Sequence, residues 1–79
     1  MSVDEALHAA ILDHLRASDE PVREAFLYER ITGSSAPTPD HFVAALVFLE
    51  VEGRVHVHPV HDEVKDPAPF QPRFWRIAT

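Results

Sequence analysis

Residues 42–55 read FVAALVFLEVEGRV, and two signals are superposed in them. Phe42, Ala45, Leu46 and Leu49 recur at the three- and four-residue spacing that places side chains on one face of a helix. Gly53 then stops the helix, since a glycine just past the last turn readily takes the left-handed conformation that caps it. Arg54-Val55 opens a strand-like run. The other side of the same helix carries Val43, Ala44, Val47, Phe48 and Val51, with no charged side chain among them. A helix that is apolar nearly all round is normally covered on both sides.

Outward from this stretch the chain divides into short elements. Thr38-Pro39-Asp40 is a strong helix start, with Thr38 as N-cap, Pro39 in the first helical position and Asp40 in the first turn, so the third helix runs to about Glu52. Residues 33–37, Gly-Ser-Ser-Ala-Pro, form a connector. Before it, residues 24–32 read as a second helix with Phe26, Leu27 and Ile31 inward and Gly33 as its C-terminal cap. Residues 4–17 carry the stripe Leu7, Ala10, Ile11 and Leu15 of a first helix, and Asp4 and Glu5 suit the positive end of its dipole. Ser18-Asp19-Glu20-Pro21 breaks that helix; Pro21-Val22 suits either a helix start or a short strand. After Gly53, residues 54–58 alternate as a half-buried strand does, residues 61–72 hold Pro67, Pro69 and Pro72 and form a loop, and residues 73–77 alternate again. Phe70, the large apolar residue of that loop, is expected to pack back on the strands.

The order helix, helix, helix, strand, loop, strand, with Leu49-Glu50-x-x-Gly53-x-Val55 closing the third helix, resembles the winged helix-turn-helix domain. Leu27-Tyr28-Glu29-Arg30-Ile31-Thr32-Gly33 is similar to that family's second-helix pattern, and Phe42, Ala45, Leu46 and Leu49 match the core positions of its third helix. Gly53-Arg54-Val55 matches the turn into the wing, and Trp75 and Ile77 match the returning strand. The resemblance covers nearly the whole chain. It implies an α+β fold: one winged-helix domain over residues 1–79, with three helices and a two- to three-stranded antiparallel wing.

The departures from the family bear on function. DNA-reading members lay the third helix in the major groove, where Arg, Asn, Gln or Ser contact bases and phosphates. Here those positions are Ala44, Val47, Phe48 and Val51, joined by Asp40 and His41 at the start of the helix. The wing loop HDEVKDPAPF holds three acids and one Lys, a composition that repels phosphate. Thirteen acidic and seven basic residues give the chain a net charge of −6, and the arginines are scattered. Nucleic-acid binders draw most of their affinity from clustered cations, so this balance lowers the expectation of DNA binding.

The first expectation is therefore a non-enzymatic binding module, a homodimer or a domain docked by a protein partner, using Ala44, Val47, Phe48, Val51 and His41. Contiguous exposed apolar surface of this kind often marks association. The second is a small DNA-binding transcriptional regulator presenting Arg23, Arg30, Arg73 and Arg76. A third arrangement needs no partner: Val47 and Val51 face the first helix or the wing of the same molecule, and the 33–37 connector folds over Phe48.

Composition bounds the rest. Seventy-nine residues make one small domain with a thin stability margin. The absence of cysteine removes disulfides and thiolate metal sites. The acidic start Met-Ser-Val-Asp-Glu is unlike a signal peptide, and no run approaches the length of a membrane span, so a cytoplasmic location is expected. Six histidines are many for this length, and full protonation would bring the formal charge from −6 to 0, which makes a pH response a hypothesis of composition. His56-x-His58-x-x-His61 is their one cluster. Imidazoles suit zinc, copper or nickel, and Asp62 or Glu63 adds a possible oxygen ligand. A structural zinc site wants four ligands in defined geometry, so the expected reading is three solvated histidines and no metal or other cofactor. His8 and His14 read as flanks of the first helix. There is no nucleophile elbow, phosphate loop or cysteine nucleophile, and no catalytic residue is assigned.

Overall fold

The computed structural model describes residues 3–31, 37–60, 65–66 and 68–78. In chain order the elements are α1 (Val3–Ala17), β1 (Val22–Arg23), α2 (Glu24–Ile31), α3 (Pro39–Val51), β2 (Val55–Pro59) and β3 (Arg73–Ile77). Three helices and a three-stranded antiparallel sheet of order β1-β3-β2 make the fold α+β. The expected connector residues 33–36, the Gly33 cap and the 61–64 part of the wing loop lie outside the described residues.

The third helix begins and ends on local chemistry. The Thr38 hydroxyl accepts the His41 N–H at 3.2 Å, and the Thr38 carbonyl accepts the Phe42 N–H at 3.0 Å. At the other end Gly53 has φ +75°, the Gly53 N–H donates to the Glu50 carbonyl and the Arg54 N–H to the Leu49 carbonyl, both at 2.9 Å. This is the paired closure of a Schellman cap, which satisfies carbonyls that the helix leaves open. It also turns the chain directly into β2.

β2 and β3 form a hairpin in which Val55 pairs with Ile77, Val57 with Trp75 and Pro59 with Arg73. The Val60 N–H bonds the Pro72 carbonyl at 2.8 Å and the Ala78 N–H bonds the Arg54 carbonyl at 3.0 Å, so the pairing closes at both ends. On the third side β1 sets Val22 against Trp75 and Arg23 against Phe74. Alternation follows: Val22, Val55, Val57, Trp75 and Ile77 face the helices, while Arg23, His56, His58, Phe74 and Arg76 share the outer face.

The core is Leu7, Ile11, Leu12 and Leu15 of α1, Leu27 of α2, Phe42, Ala45, Leu46 and Leu49 of α3, and Val55 and Trp75 of the hairpin. Leu12, between the expected stripe positions, is buried, whereas Ala10 is only half-buried. Phe70 packs against this core, its ring 5.1 Å from Tyr28 and 6.2 Å from Phe42, so the loop turns back on the helices rather than on the strands alone. The Tyr28 hydroxyl donates to the Pro37 carbonyl at 2.6 Å, tying α2 to the residues that lead into α3.

One expected inward residue faces out. Phe26 is 47% exposed, with the Arg30 guanidinium 4.6 Å over its ring. The reason is helical phase. The inward positions of α2 are the buried Glu24 and Leu27 with the half-buried Tyr28 and Ile31, which leaves Phe26 off the stripe.

Two substitutions test this account by chemical denaturation. Leu46→Ala removes a fully buried side chain and should cost about 2–5 kcal/mol. Gly53→Ala should cost less, about 1 kcal/mol: an added Cβ meets no atom within 4 Å, and only the positive φ opposes it.

Candidate functional site

The outer side of α3 carries three of the four large apolar side chains left exposed among the described residues, Phe26 of α2 being the fourth. Val47 is 43% exposed, Phe48 49% and Val51 82%, while Ala44 and His41 beside them are also exposed. Of these side chains Phe48 is covered in part by α1, while Val47 and Val51 belong to no buried cluster. α3 carries no basic residue in its last turn, and its only charged side chains are Asp40 and Glu50, followed by Glu52 at the C-cap.

Phe48 has one neighbour that spacing did not reveal. The His8 ring of α1 stacks on it, centroids 5.0 Å apart and planes 15° from parallel. His8 is half-buried by this contact and is not a plain surface flank. The signal lies between elements: Leu7 and Ile11 must face α3, which places the adjacent His8 at the rim of the same helix pair. With His41, Ala44, Ala45 and Phe48, His8 lines an open groove of about 370 Å³ between α1 and α3. The groove has an aromatic wall, a small-residue floor and imidazoles at its edge.

The arginines proposed for DNA contact are placed differently from one another. Arg73 is bound to Glu24, whose carboxylate is fully buried. That carboxylate also accepts the Trp75 indole N–H at 2.9 Å and the Gln71 backbone N–H at 2.8 Å. The Arg73 guanidinium lies 5.1 Å from the Trp75 ring centroid. Arg23 makes a two-pronged pair with Asp66, Nε to Oδ1 and Nη2 to Oδ2, both 2.9 Å. These two guanidiniums hold the hairpin and its loop to α2 and β1. A phosphate contact from either would compete with an ion pair whose side chains are no more than 23% exposed. Arg30 lies over Phe26, and Arg76 stands on the outer face of the sheet opposite His56.

Glu24 is the residue that sequence reasoning read as only a helix start. Its position at the head of the Leu27-Tyr28-Ile31 stripe was the available sign that it points inward, and Arg73 and Trp75, on one face of β3, supply its donors. No buried side-chain nitrogen or oxygen among the described residues lacks a hydrogen-bond partner.

His56 and His58 are both exposed on β2, and His61 lies outside the described residues. Among the described residues no three His, Asp or Glu side chains gather as a metal site would need. A second open groove, between the α1–β1 turn and Phe26 and Phe74, has Asp19 and Glu20 on one side and Arg23 on the other. No described helix is long and apolar enough to cross a membrane.

No family model, curated protein or solved structure matches this chain.

Removing the buried carboxylate strands an Arg, an indole N–H and a backbone N–H at once. Glu24→Ala should therefore cost about 3–5 kcal/mol in urea unfolding followed by the fluorescence of Trp75, the only tryptophan. A loss below about 1 kcal/mol would show that the network does not hold the hairpin in place.

Proposed function

We propose that this domain is a non-enzymatic binding module of the winged-helix type, acting by protein association through the outer face of α3, with a second copy of the chain as its simplest partner. The observation that carries this reading is the two-sidedness of α3. Its inner face is complete, with Phe42, Leu46 and Leu49 fully buried, yet Val47, Phe48 and Val51 on the other face remain 43%, 49% and 82% exposed. Three large apolar side chains on one short helix are a solubility burden to a monomer and an asset to an interface. Covering each would contribute up to about 1.5–3 kcal/mol, scaled by the fraction still exposed. That gain matters in a domain whose own core is small.

Three helices and a three-stranded antiparallel sheet support the winged-helix reading, under which α3 would stand for that family's recognition helix. Its outward residues Ala44, Val47, Phe48 and Val51 carry no group that hydrogen-bonds a base edge or neutralises a phosphate. The alternative, a DNA-binding regulator, is left with Arg30 and Arg76 as its better-placed cations, since Arg23 and Arg73 hold the fold together.

Light scattering across a range of concentrations should show a mass above that of the 8.9 kDa chain. Phe48→Asp should return the protein to the monomer mass while leaving its far-ultraviolet circular dichroism unchanged. An unchanged mass distribution in a folded Phe48→Asp protein sinks the α3 reading. Retardation of generic duplex DNA at low ionic strength, lost with added salt, would favour the regulator instead.

A further inference from the structure

Arginines that are far apart in the chain are gathered by the sheet. Strand order β1-β3-β2 sets residue 23, residues 74 and 76, and residues 56 and 58 side by side on the outer face. One row across the strands is Arg23, Phe74 and His58, and the next is Arg76 and His56. Arg54 continues the alternation one step further, its carbonyl accepting the Ala78 N–H just past the end of β3. Three successive rows therefore carry one arginine each: Arg54 in line with β2, Arg76 on β3 and Arg23 on β1. Rows lie about 6.8 Å apart along a strand and strands about 4.8 Å apart, so these positions cross the face diagonally in steps of about 8 Å.

Rings share this face. Phe74 is half-buried near its centre, and His56 and His58 are exposed beside it. No Asp or Glu takes an outward position on the three strands, in a chain whose net charge is −6. The acids stand around it. Asp66 holds Arg23, whose guanidinium lies 5.9 Å from the Phe74 ring centroid. Asp19 and Glu20 line the groove on the β1 side, and Glu52 caps α3 two residues before Arg54. The side chains of Arg54, Arg76, His56 and His58 are exposed and make no hydrogen bond or ion pair among the described residues.

We propose that the outer face of the sheet binds single-stranded nucleic acid, with Arg54 and Arg76 on phosphates and the rings of Phe74, His56 and His58 against bases. This site is separate from the outer face of α3 and does not depend on what that helix does. Charge selects the class of partner: a cationic face without acids, on an acidic molecule, takes an anion. The rings select among anions. Every base has a face that stacks on an aromatic ring, whereas the carboxylates of an acidic protein gain nothing from one. A duplex keeps its bases inside and offers this face its phosphates alone. Arg23, held by Asp66, orients Phe74 instead of reaching for phosphate. Strands of five residues span about 17 Å, room for a few nucleotides, so the binding is weak and sensitive to salt.

Fluorescence anisotropy of a short dye-labelled oligothymidylate tests this, with circular dichroism to check that each variant is folded. Two arginines on phosphates predict that log K falls with log salt at a slope of about −1.4. Arg54→Glu and Arg76→Glu should each weaken binding roughly tenfold at low salt. Phe74→Leu keeps an apolar side chain, loses the ring and should weaken it about fivefold. Arg16→Glu, exposed on α1, changes the net charge equally and should leave binding nearly unchanged. No binding at the lowest salt overturns the proposal. Undiminished binding by folded Arg54→Glu and Arg76→Glu proteins places the site elsewhere and overturns it, as does equal weakening by Arg16→Glu. Polyglutamate that displaces the oligonucleotide at equal charge concentration assigns the face to an acidic protein instead. A duplex bound as tightly as the single strand, with no effect of Phe74→Leu, removes the rings from the site and overturns the single-strand assignment. None of these outcomes bears on the mass of the chain or on Phe48→Asp, so this site and the α3 reading stand or fall separately.

Discussion

The carboxylate of Glu24 organises the half of the molecule that the apolar core alone leaves loose. It sits fully buried at the start of α2 and receives the Arg73 guanidinium, the Trp75 indole and the Gln71 backbone N–H. A buried anion is costly unless its oxygens find donors, and an arrangement that brings three donors to two buried oxygens admits few alternatives. This one fixes three things together: the first turn of α2, the orientation of Trp75 in the core, and the point at which the long loop returns into β3. The Arg23–Asp66 pair adds a second tie between β1 and the same loop. Replacement by apolar side chains of matching volume need not lower stability, so the network is better regarded as a device that sets register than as a source of stability.

With the hairpin held to α2, α3 is free to be shared between two environments. Its inner face packs on α1 and β2, and its Schellman cap hands the chain straight into β2. Val47, Phe48 and Val51 on the other face remain exposed. The His8–Phe48 stack limits the exposure of one ring and fixes its direction without hiding it.

Much of the fold was legible from local pattern. Thr38-Pro39-Asp40 and Gly53 marked the ends of α3, and Phe42, Ala45, Leu46 and Leu49 marked its inner face, because capping and helical periodicity act within a few residues. The alternation of residues 54–58 and 73–77 marked the hairpin for the same reason. Phe26 was misplaced because its apolar side chain was taken for an inward one, while Glu24 was given no placement of its own. The phase of a helix of eight residues leaves room for that error, and only the donors waiting on β3 correct it. The histidine at position 8 was read as surface because its partner, Phe48, is forty residues away.

The sequence by itself determined the three helices, the hairpin strands and their order, most of the core and the apolar character of the outer face of α3, since each follows from spacing or from chemistry along a short stretch, while it left the strand at Val22–Arg23 open. The tertiary structure decided which charges are spoken for and which apolar residues are left over. Arg23 and Arg73 looked available in the sequence and are engaged by Asp66 and Glu24 in the fold. Val47, Phe48 and Val51 could each have been covered within the chain and are not. Both outcomes depend on residues distant in sequence that meet only after packing, and no periodicity encodes such meetings.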